Sequence, residues 1–457
     1  MKLTGKEKVS YGLGAVGKDM VYMLSASFIL YYYQDILGVS ALVMGVILLA
    51  TRVFDAFNDP IMGVIVAKTK TKWGKFRPWL LIGTVTNALT LYALFTAPPA
   101  LSGTGLIVYA AVIYVLWSVT YTMMDIPFWS MIPAFTEGGK EREGLATLGR
   151  TCAGIGSAIV TVATVQCVQL LGNGDERVGF QWFSLIVAII FIICILFTCI
   201  NIKEKSTVDV DSPSIAQMFR ALVQNDQTMA IVIAIVLINS SIYITSNLVI
   251  YFFKYDFGGE TWYNSYTLFN IFGGAMQIFS MMLLFPALRK IMSSIAVFYT
   301  GLFMAITGYI VLLILAFTNM SNVFLLFIPG FCIFAANGIL TVLLTVFLAN
   351  TVDYGELKNN RRDESVIVSM QTFVVKLASG IAALAASVCL SVFKLSDDTA
   401  SAAQAATSSV IGLRMTMTVI PIIGLIIATI IFNRKYILTE EKVEEIAGLV
   451  KERRNDS

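Results

Sequence analysis

The run FQWFSLIVAIIFIICILFTCI occupies positions 180–200 and contains no charged residue. At 1.5 Å of rise per residue, a helix of this length covers about 30 Å, which is the thickness of the hydrocarbon core of a bilayer. The polar segment Asn201–Gln227 follows it directly. Positions 180–200 therefore predict a membrane-spanning helix that ends at a long polar connection.

The rest of the chain is similarly apolar. Of its 457 residues, 57% are hydrophobic and only 13% are charged, whereas about a quarter of a soluble domain is charged. Stretches long enough to cross a bilayer recur and predict twelve spans. They lie at about 10–38, 42–67, 78–98, 105–134, 145–171, 180–201, 228–253, 263–288, 294–317, 323–353, 365–393 and 409–432.

Lysine and arginine are distributed unevenly between the predicted connections. The termini and every second connection hold 24 of the 32 basic residues, and the opposite connections hold three. Because cytoplasmic loops retain positive charge, we expect both termini in the cytoplasm. The expected location of the chain is a bacterial cytoplasmic (inner) membrane. A net charge of only +3 and the lack of a long basic, aromatic-interleaved stretch exclude nucleic acid as a partner.

The polar segment after the sixth predicted span divides the chain into two halves. We expect an all-α membrane protein of twelve transmembrane helices with the major facilitator fold, in which substrate is handled near the bilayer midplane. The predicted parts are an N-terminal six-helix half at 1–201, a cytoplasmic middle loop at 202–227, a C-terminal six-helix half at 228–432 and a cytoplasmic tail helix at 433–457. The chain is expected to function as a monomer.

Ionisable side chains inside the predicted spans are concentrated in the first half. An aspartate at the centre of a membrane helix costs about 2.5–3.5 kcal/mol on insertion scales, so each one requires a partner or a role. The second half contributes mainly Lys376, which is predicted to pair with an aspartate of the first half, or alternatively to extend towards the interface. The first-half set comprises Lys18, Asp19, Arg52, Asp55, Asp59, Asp125 and Arg150.

Span 2 places two carboxylates on one helix face. Asp55 and Asp59 are four residues apart, with Asn58 beside them. Adjacent anions repel unless a cation or proton lies between them, and carboxylate and amide oxygens suit Na⁺ or Li⁺. The spacing therefore predicts a site for a monovalent coupling cation, Na⁺, Li⁺ or H⁺. Arg52 leaves a purely structural ion pair with Asp55 open as the alternative.

Span 4 places a carboxylate between two aromatic rings, because Tyr121, Asp125 and Trp129 follow one another at four-residue intervals. A carboxylate accepts hydrogen bonds from sugar hydroxyls, and an aromatic ring covers the apolar face of a pyranose. Arg150 offers a planar donor fork, and Asp19 offers a second acceptor. The arrangement of Tyr121, Asp125 and Trp129 predicts a sugar-binding site. Simple helix packing is the alternative for the two aromatic rings.

Several stretches of the sequence resemble one known family. They are SYGLGAVGKD at 10–19, RVFDAFNDPIMG at 52–63, WGKFRPW at 73–79, YTMMDIPFWS at 121–130, VDYGE at 352–356 and QTFVVK at 371–376. By these stretches the chain resembles the glycoside-pentoside-hexuronide cation symporters over essentially its whole length. The motifs are more specific in the first half than in the second.

The resemblance implies a secondary active transporter that carries a small glycoside, such as melibiose or another galactoside, with Na⁺, Li⁺ or H⁺ and without a cofactor. The implied cation ligands are Asp55, Asn58, Asp59 and Thr122. The implied sugar contacts are Lys18, Asp19, Asp125, Trp129, Arg150 and, in some members, Gln371, Thr372 and Lys376. Two positions depart from the pattern: Asn350 replaces an aspartate before the VDYG stretch, and Thr341 replaces a tryptophan that lines the sugar cavity.

Two alternatives stay open. A hexuronide or pentoside symporter of the same family is the nearer one, although an anionic substrate favours more basic residues than the predicted spans contain. A membrane-embedded aspartyl hydrolase that uses Asp55 or Asp59 with Asp125 is the remote one, and the sequence lacks a second acidic motif in a glycine-rich setting. The chain is therefore predicted to be a transporter and not an enzyme.

Overall fold

The structure is a computed structural model that describes residues 3–132, 139–202, 220, 223–259, 261–318, 322–359, 364–395 and 407–456. Every regular element within these residues is a helix. Most of the predicted middle loop lies outside the described residues. The chain divides into two compact units, Met1–Ser212 and Pro213–Ser457.

The first unit is built from six long helices among its described residues. The first helix begins with a reciprocal cap, because Thr4 Oγ1 accepts a hydrogen bond from the Glu7 N–H at 3.2 Å while Glu7 Oε2 accepts one from the Thr4 N–H at 2.8 Å. The helices are α1 (Gly5–Tyr31), α2 (Ala41–Lys68), α3 (Arg77–Leu94), α4 (Gly103–Ser130), α5 (Gly139–Gly172) and α6 (Glu176–Asn201).

The second unit has six long helices and a shorter tail helix among its described residues. The Asn225 side chain caps the first of them by accepting a hydrogen bond from the Thr228 N–H at 3.0 Å. The helices are α7 (Asp226–Tyr251), α8 (Trp262–Phe279), α9 (Ser294–Thr318), α10 (Val323–Asn359), α11 (Glu364–Val392), α12 (Thr407–Lys435) and α13 (Glu440–Asp456). α8 continues through a π-helical segment, Ser280–Leu284, into a short helical turn, Phe285–Arg289.

Eleven of the described helices are long and apolar enough to cross a membrane. The predicted third span corresponds to α3, which has 18 residues and therefore a length of about 27 Å. Its polar side chains face α4, where the buried Asn87 amide donates hydrogen bonds to Trp117 O at 2.9 Å and to Thr120 Oγ1 at 3.0 Å. The polar side chains lower the hydropathy of α3, which is not among the eleven. The Asn87 amide is satisfied as a donor, whereas Asn87 Oδ1 and Thr84 Oγ1 are buried without a hydrogen-bond partner among the described residues.

The first helix of each unit ends in the same way. α1 continues into a π-helical segment, Tyr32–Ile36, and α7 continues into another, Phe252–Phe257. Gly38 and Gly258 follow with φ values of +69° and +70°, a backbone conformation that glycine adopts without steric cost. The two units therefore share a local structural repeat at the end of their first long helix.

The core of the first unit centres on α1, which packs against α5 and α6. Gly156 on α5 permits a close approach of the two helices, because a Cβ atom added there would lie 2.3 Å from the Val16 carbonyl oxygen on α1. In the second unit, α7 packs against α11 and α12, and α9 packs against α10. The functional side chains of α1 are held in place by this packing.

The tail helix α13 is joined to the second unit through its first residue. Glu440 Oε1 accepts hydrogen bonds from the Ser294 hydroxyl at 2.6 Å and the Ser294 N–H at 2.8 Å, and it forms an ion pair with Arg289 at 2.7 Å. The hydrogen bonds from Ser294, assisted by Arg289, hold the pKa of Glu440 below its usual value. Glu440 thus connects α13 to the start of α9.

Candidate functional site

A buried lysine lies at the centre of the polar cluster in the first unit. Lys18 Nζ is 2.8 Å from Asp19 Oδ2 on the same helix and 2.8 Å from Asp125 Oδ1 on α4. It also donates a hydrogen bond to the Tyr121 hydroxyl at 3.2 Å. Only 3% of the Lys18 side chain is exposed, so the two carboxylates compensate for the desolvation of the ammonium.

Aromatic rings surround this ion cluster. The Trp129 indole N–H donates a hydrogen bond to Asp125 Oδ1 at 3.1 Å, and Lys18 Nζ lies 5.1 Å from the centroid of the Trp129 ring. The guanidinium carbon of Arg150 lies 4.3 Å from the same centroid, within the range of a cation–π contact. The structure therefore brings Asp125, Trp129 and Arg150 together around Lys18.

The roles of the clustered residues differ with their exposure. Tyr121 is buried, so its hydroxyl orients Lys18 from inside the unit. Arg150 is exposed, and within the part of the chain that the structure describes its guanidinium has no hydrogen-bond acceptor. Asp19 and Asp125 are partly exposed, at 18% and 17% of their side chains. Two cations and two carboxylates form a cluster that presents donors and acceptors with balanced formal charge.

Two hydroxyl–carboxylate pairs connect α2 with α4 at the residues predicted to bind the cation. The Ser118 hydroxyl donates a hydrogen bond to Asp55 Oδ1, and the Thr122 hydroxyl donates one to Asp59 Oδ1 at 2.9 Å. Arg52 Nη1 lies 3.4 Å from Asp55 Oδ2. The predicted structural pair is therefore present, and it engages one oxygen of Asp55 while Ser118 engages the other.

Asn58, the amide predicted beside these carboxylates, lies on the same helix. Its Nδ2 atom is buried and has no hydrogen-bond partner among the described residues. A buried amide end without a partner costs about 1–3 kcal/mol, which a ligand oxygen or a cation beside a reoriented amide would recover. No group of three His, Cys, Asp or Glu side chains suited to a metal occurs within the described ranges.

Ser118 was missed by reasoning from the sequence. A serine in a membrane helix is common as a packing residue, and its position four residues before Thr122 matches the spacing of Asp55 and Asp59. That matched spacing was the available signal, but only the register of α2 against α4 shows that each hydroxyl faces a carboxylate.

The remaining predicted sugar contacts lie in the second unit. Gln371, Thr372 and Lys376 are all on α11, and the Gln371 amide donates a hydrogen bond to Thr345 Oγ1 on α10 at 2.8 Å. Thr372 is exposed and Lys376 is half-buried. The pairing of Lys376 with an aspartate of the first half stays a prediction.

The second unit also contains a buried ion pair that the sequence did not indicate. Arg414 on α12 donates to both oxygens of Asp256, at 2.6 and 2.7 Å, and Asp256 lies in the π-helical extension of α7. Only 1% of the Asp256 side chain is exposed. The partners are 158 residues apart, so no local spacing revealed them. Their bidentate geometry fixes the end of α7 against α12.

A family model described as MFS/sugar transport protein matches residues 10–440. The chain therefore belongs to this family, which establishes the predicted major facilitator fold and a multi-pass membrane transporter. A solved structure of the nucleoside transporter NupG has the same fold, with a TM-score of 0.67, 12% identity, and coverage of 93% of this chain and 100% of that chain.

Three relatives align along nearly the full chain. The raffinose carrier protein of Pediococcus pentosaceus is 28% identical and covers 96% of this chain and 70% of its own length. The lactose permease of Lactobacillus delbrueckii subsp. bulgaricus is also 28% identical, with coverage of 98% and 72%. The inner membrane symporter YicJ of Escherichia coli is 26% identical, with coverage of 97% and 94%. These relatives are transporters, so the chain is a sugar transporter and the aspartyl hydrolase alternative is discarded.

Proposed function

We propose that the protein carries a small neutral glycoside, a galactoside such as melibiose, together with Na⁺, Li⁺ or H⁺. The observation that carries the proposal is the buried Lys18 ammonium shared by Asp19 and Asp125 beside the Trp129 ring. Raffinose and lactose, the sugars named for two relatives, both contain a galactosyl ring, which supports the galactoside as the substrate class.

The polar groups of the cluster complement a sugar ring. Asp19 and Asp125 accept hydrogen bonds from hydroxyl groups, and the exposed Arg150 fork donates to two neighbouring oxygens. Trp129, which Asp125 orients through its indole N–H, covers the apolar face of the ring. Gln371, Thr372 and Lys376 are proposed as further sugar contacts of the second unit, on the basis of the family resemblance.

The charge balance of the cluster favours a neutral sugar over a hexuronide. Lys18 is engaged by two carboxylates and a phenol, so its ammonium is already compensated before a substrate arrives. A uronate carboxylate would find Arg150 as its cation and two aspartates as like charges. A glucuronide and a xyloside in the transport assay keep the hexuronide and pentoside alternatives testable.

The coupling cation is proposed to bind at Asp55, Asn58, Asp59 and Thr122. Paired carboxylates with hydroxyl oxygens suit a hard monovalent cation or a proton. Coupling to the sugar follows if the loaded and unloaded forms of this site favour different states of the carrier. The distribution of lysine and arginine supports cytoplasmic termini and an inner-membrane location, and we propose that the monomer is the transporting unit.

Uptake into proteoliposomes tests the proposal. Purified protein is reconstituted and given a radiolabelled galactoside under an inward gradient of Na⁺, Li⁺ or H⁺, in parallel with glucosides, a glucuronide and a xyloside. We expect concentrative galactoside uptake with at least one cation gradient and only equilibration without a gradient. Concentrative uptake of the glucuronide or xyloside, with none of the galactoside, would replace the proposed substrate with the corresponding alternative.

A further inference from the structure

Two parallel side-chain hydrogen bonds, from Ser118 to Asp55 and from Thr122 to Asp59, connect α2 with α4. Asp55 and Asp59 are one helical turn apart, and so are Ser118 and Thr122, which donate to them in register. Each acceptor and its donor are separated by 63 residues along the chain. Asp55, Asp59 and Thr122 belong to the proposed cation site, whereas Ser118 has no role in that proposal.

The oxygen of Ser118 retains coordinating capacity in this arrangement. A serine hydroxyl has one proton to donate and two lone pairs. Because its proton is directed to Asp55 Oδ1, the lone pairs of Oγ stay available to a hard cation, for which oxygen is the preferred ligand. Ser118 and Asp55 are 3% and 1% exposed, so bulk water contributes little to the coordination there.

The direction of this hydrogen bond distinguishes Ser118 from serines that only satisfy their own helix. Ser184 on α6 is equally buried, and its hydroxyl donates to Gln181 O within the same helix at 3.0 Å. Thr164 on α5 likewise donates to Val160 O at 2.6 Å. Ser118 and Thr122 instead direct their hydroxyls to carboxylates on a neighbouring helix.

Arg52 determines which oxygen of Asp55 is used. Its guanidinium engages Oδ2 at 3.4 Å, whereas Ser118 engages Oδ1. A cation that binds through Oδ1 therefore meets Ser118 Oγ as the adjacent oxygen. A hydroxyl that donates to a carboxylate favours the ionised form of that carboxylate. A bound metal cation preserves the ionised form and a bound proton removes it, so the Ser118 hydroxyl favours a metal cation.

We propose that Ser118 is an oxygen ligand of the coupling cation, and that the two hydroxyl–carboxylate pairs together select Na⁺ or Li⁺ over H⁺. This inference rests on the proposed cation-coupled transport and deepens it by naming the ion class. Removing the Ser118 hydroxyl weakens Na⁺ and Li⁺ binding and leaves proton-driven transport in place.

The test compares Ser118→Ala and Ser118→Thr with the parent and with Ser184→Ala as the matched control. The variants are purified in detergent, and the Na⁺ concentration that gives half of the full thermal stabilisation is measured, because a cation that binds only the folded protein raises its unfolding temperature. The same proteins are reconstituted, and galactoside uptake is measured under Na⁺, Li⁺ and H⁺ gradients.

We expect Ser118→Ala to raise the half-saturating Na⁺ concentration at least tenfold, with proton-driven uptake retained. Ser118→Thr, which keeps the oxygen, and Ser184→Ala should stay within about threefold of the parent. An unchanged Na⁺ response in Ser118→Ala overturns the inference, and so does an equal loss in Ser118→Thr. If Ser118→Ala does not fold, a tenfold loss in Ser118→Thr while Ser184→Ala responds normally also overturns it.

Uptake and thermal stabilisation of the parent protein distinguish a failure of this inference from a failure of the proposed function on which it rests. A parent that concentrates galactoside with protons alone and shows no stabilisation by Na⁺ or Li⁺ overturns the metal-cation inference while cation-coupled transport stands. A parent that concentrates no sugar under any gradient overturns the proposed function itself.

Discussion

Replacement of Asp125 by alanine is the most informative perturbation of the ion cluster around Lys18. Asp125 Oδ1 lies 2.8 Å from Lys18 Nζ and accepts the Trp129 indole N–H at 3.1 Å. The truncation therefore removes one of the two carboxylates that balance the Lys18 ammonium and leaves the indole donor without this acceptor. Asp19 remains as the ion-pair partner of Lys18.

The expected losses of folding stability and of sugar affinity follow from these contacts. Breaking a buried ion pair costs about 3–5 kcal/mol, and because Asp19 remains we expect a loss of folding stability near the lower end, about 3 kcal/mol. A hydrogen bond to a charged group contributes about 1.5–3 kcal/mol. Since 1.4 kcal/mol corresponds to a factor of ten, sugar affinity should fall roughly tenfold to a hundredfold in Asp125→Ala.

The assay combines calorimetric titration of galactoside with thermal unfolding in detergent. Asp125→Asn serves as the matched control, because its amide oxygen still accepts from Trp129 and from a sugar hydroxyl but carries no charge for Lys18. We expect the asparagine variant to lie between the parent and Asp125→Ala in both measurements. Parental sugar affinity and parental unfolding temperature in Asp125→Ala would show that Asp125 neither contacts the sugar nor compensates Lys18.

Three further predictions concern the cation site, α11 and the tail helix. Asp59→Cys should abolish cation-stimulated uptake and retain measurable sugar binding, because the proposed cation and sugar contacts are on different side chains. Full Na⁺- or Li⁺-stimulated accumulation in this variant would contradict the proposed cation site. Lys376→Ala should lower concentrative uptake while cation binding, followed by thermal stabilisation, persists, because the predicted pairing with an aspartate is lost; parental accumulation would favour a lysine that only extends to the interface. The contact of Glu440 with Ser294 should stabilise α13 fully above the ordinary glutamate pKa of about 4.5 and lose its effect as the pH falls through the lowered native value. The rate of protease cleavage of α13 as a function of pH measures the strength of this contact. The Glu440→Gln variant should be cleaved with a weaker pH dependence, and an identical pH profile in both proteins would contradict the role given to Glu440.

The charge arrangement of the first unit explains how costly ions are accommodated inside a membrane protein. Lys18 is placed against two carboxylates, and Arg52 against a third. Each pairing reduces the penalty of an isolated charge in a low-dielectric interior. Asp125 is paired with Lys18 and is still partly exposed, so its carboxylate is both compensated within the unit and accessible from outside it.

The sequence by itself determined the all-helical class, the positions of most spans and the main members of the ion cluster around Lys18. Apolar runs of bilayer length allow only helices in which every backbone group is bonded within its own segment, so composition alone decides the fold class. The column Tyr121, Asp125 and Trp129 was also predictable, because residues four apart share a helix face.

Only the tertiary structure decided which side chains meet across helices. The contact of Ser118 with Asp55 depends on the register between α2 and α4, and the contact of Asp256 with Arg414 joins residues 158 positions apart. Helical periodicity specifies which residues share a face, but it carries no information about which neighbouring helix covers that face or at what height. That choice follows from the packing of whole helices, as where the absence of a side chain at Gly156 allows α5 to approach α1.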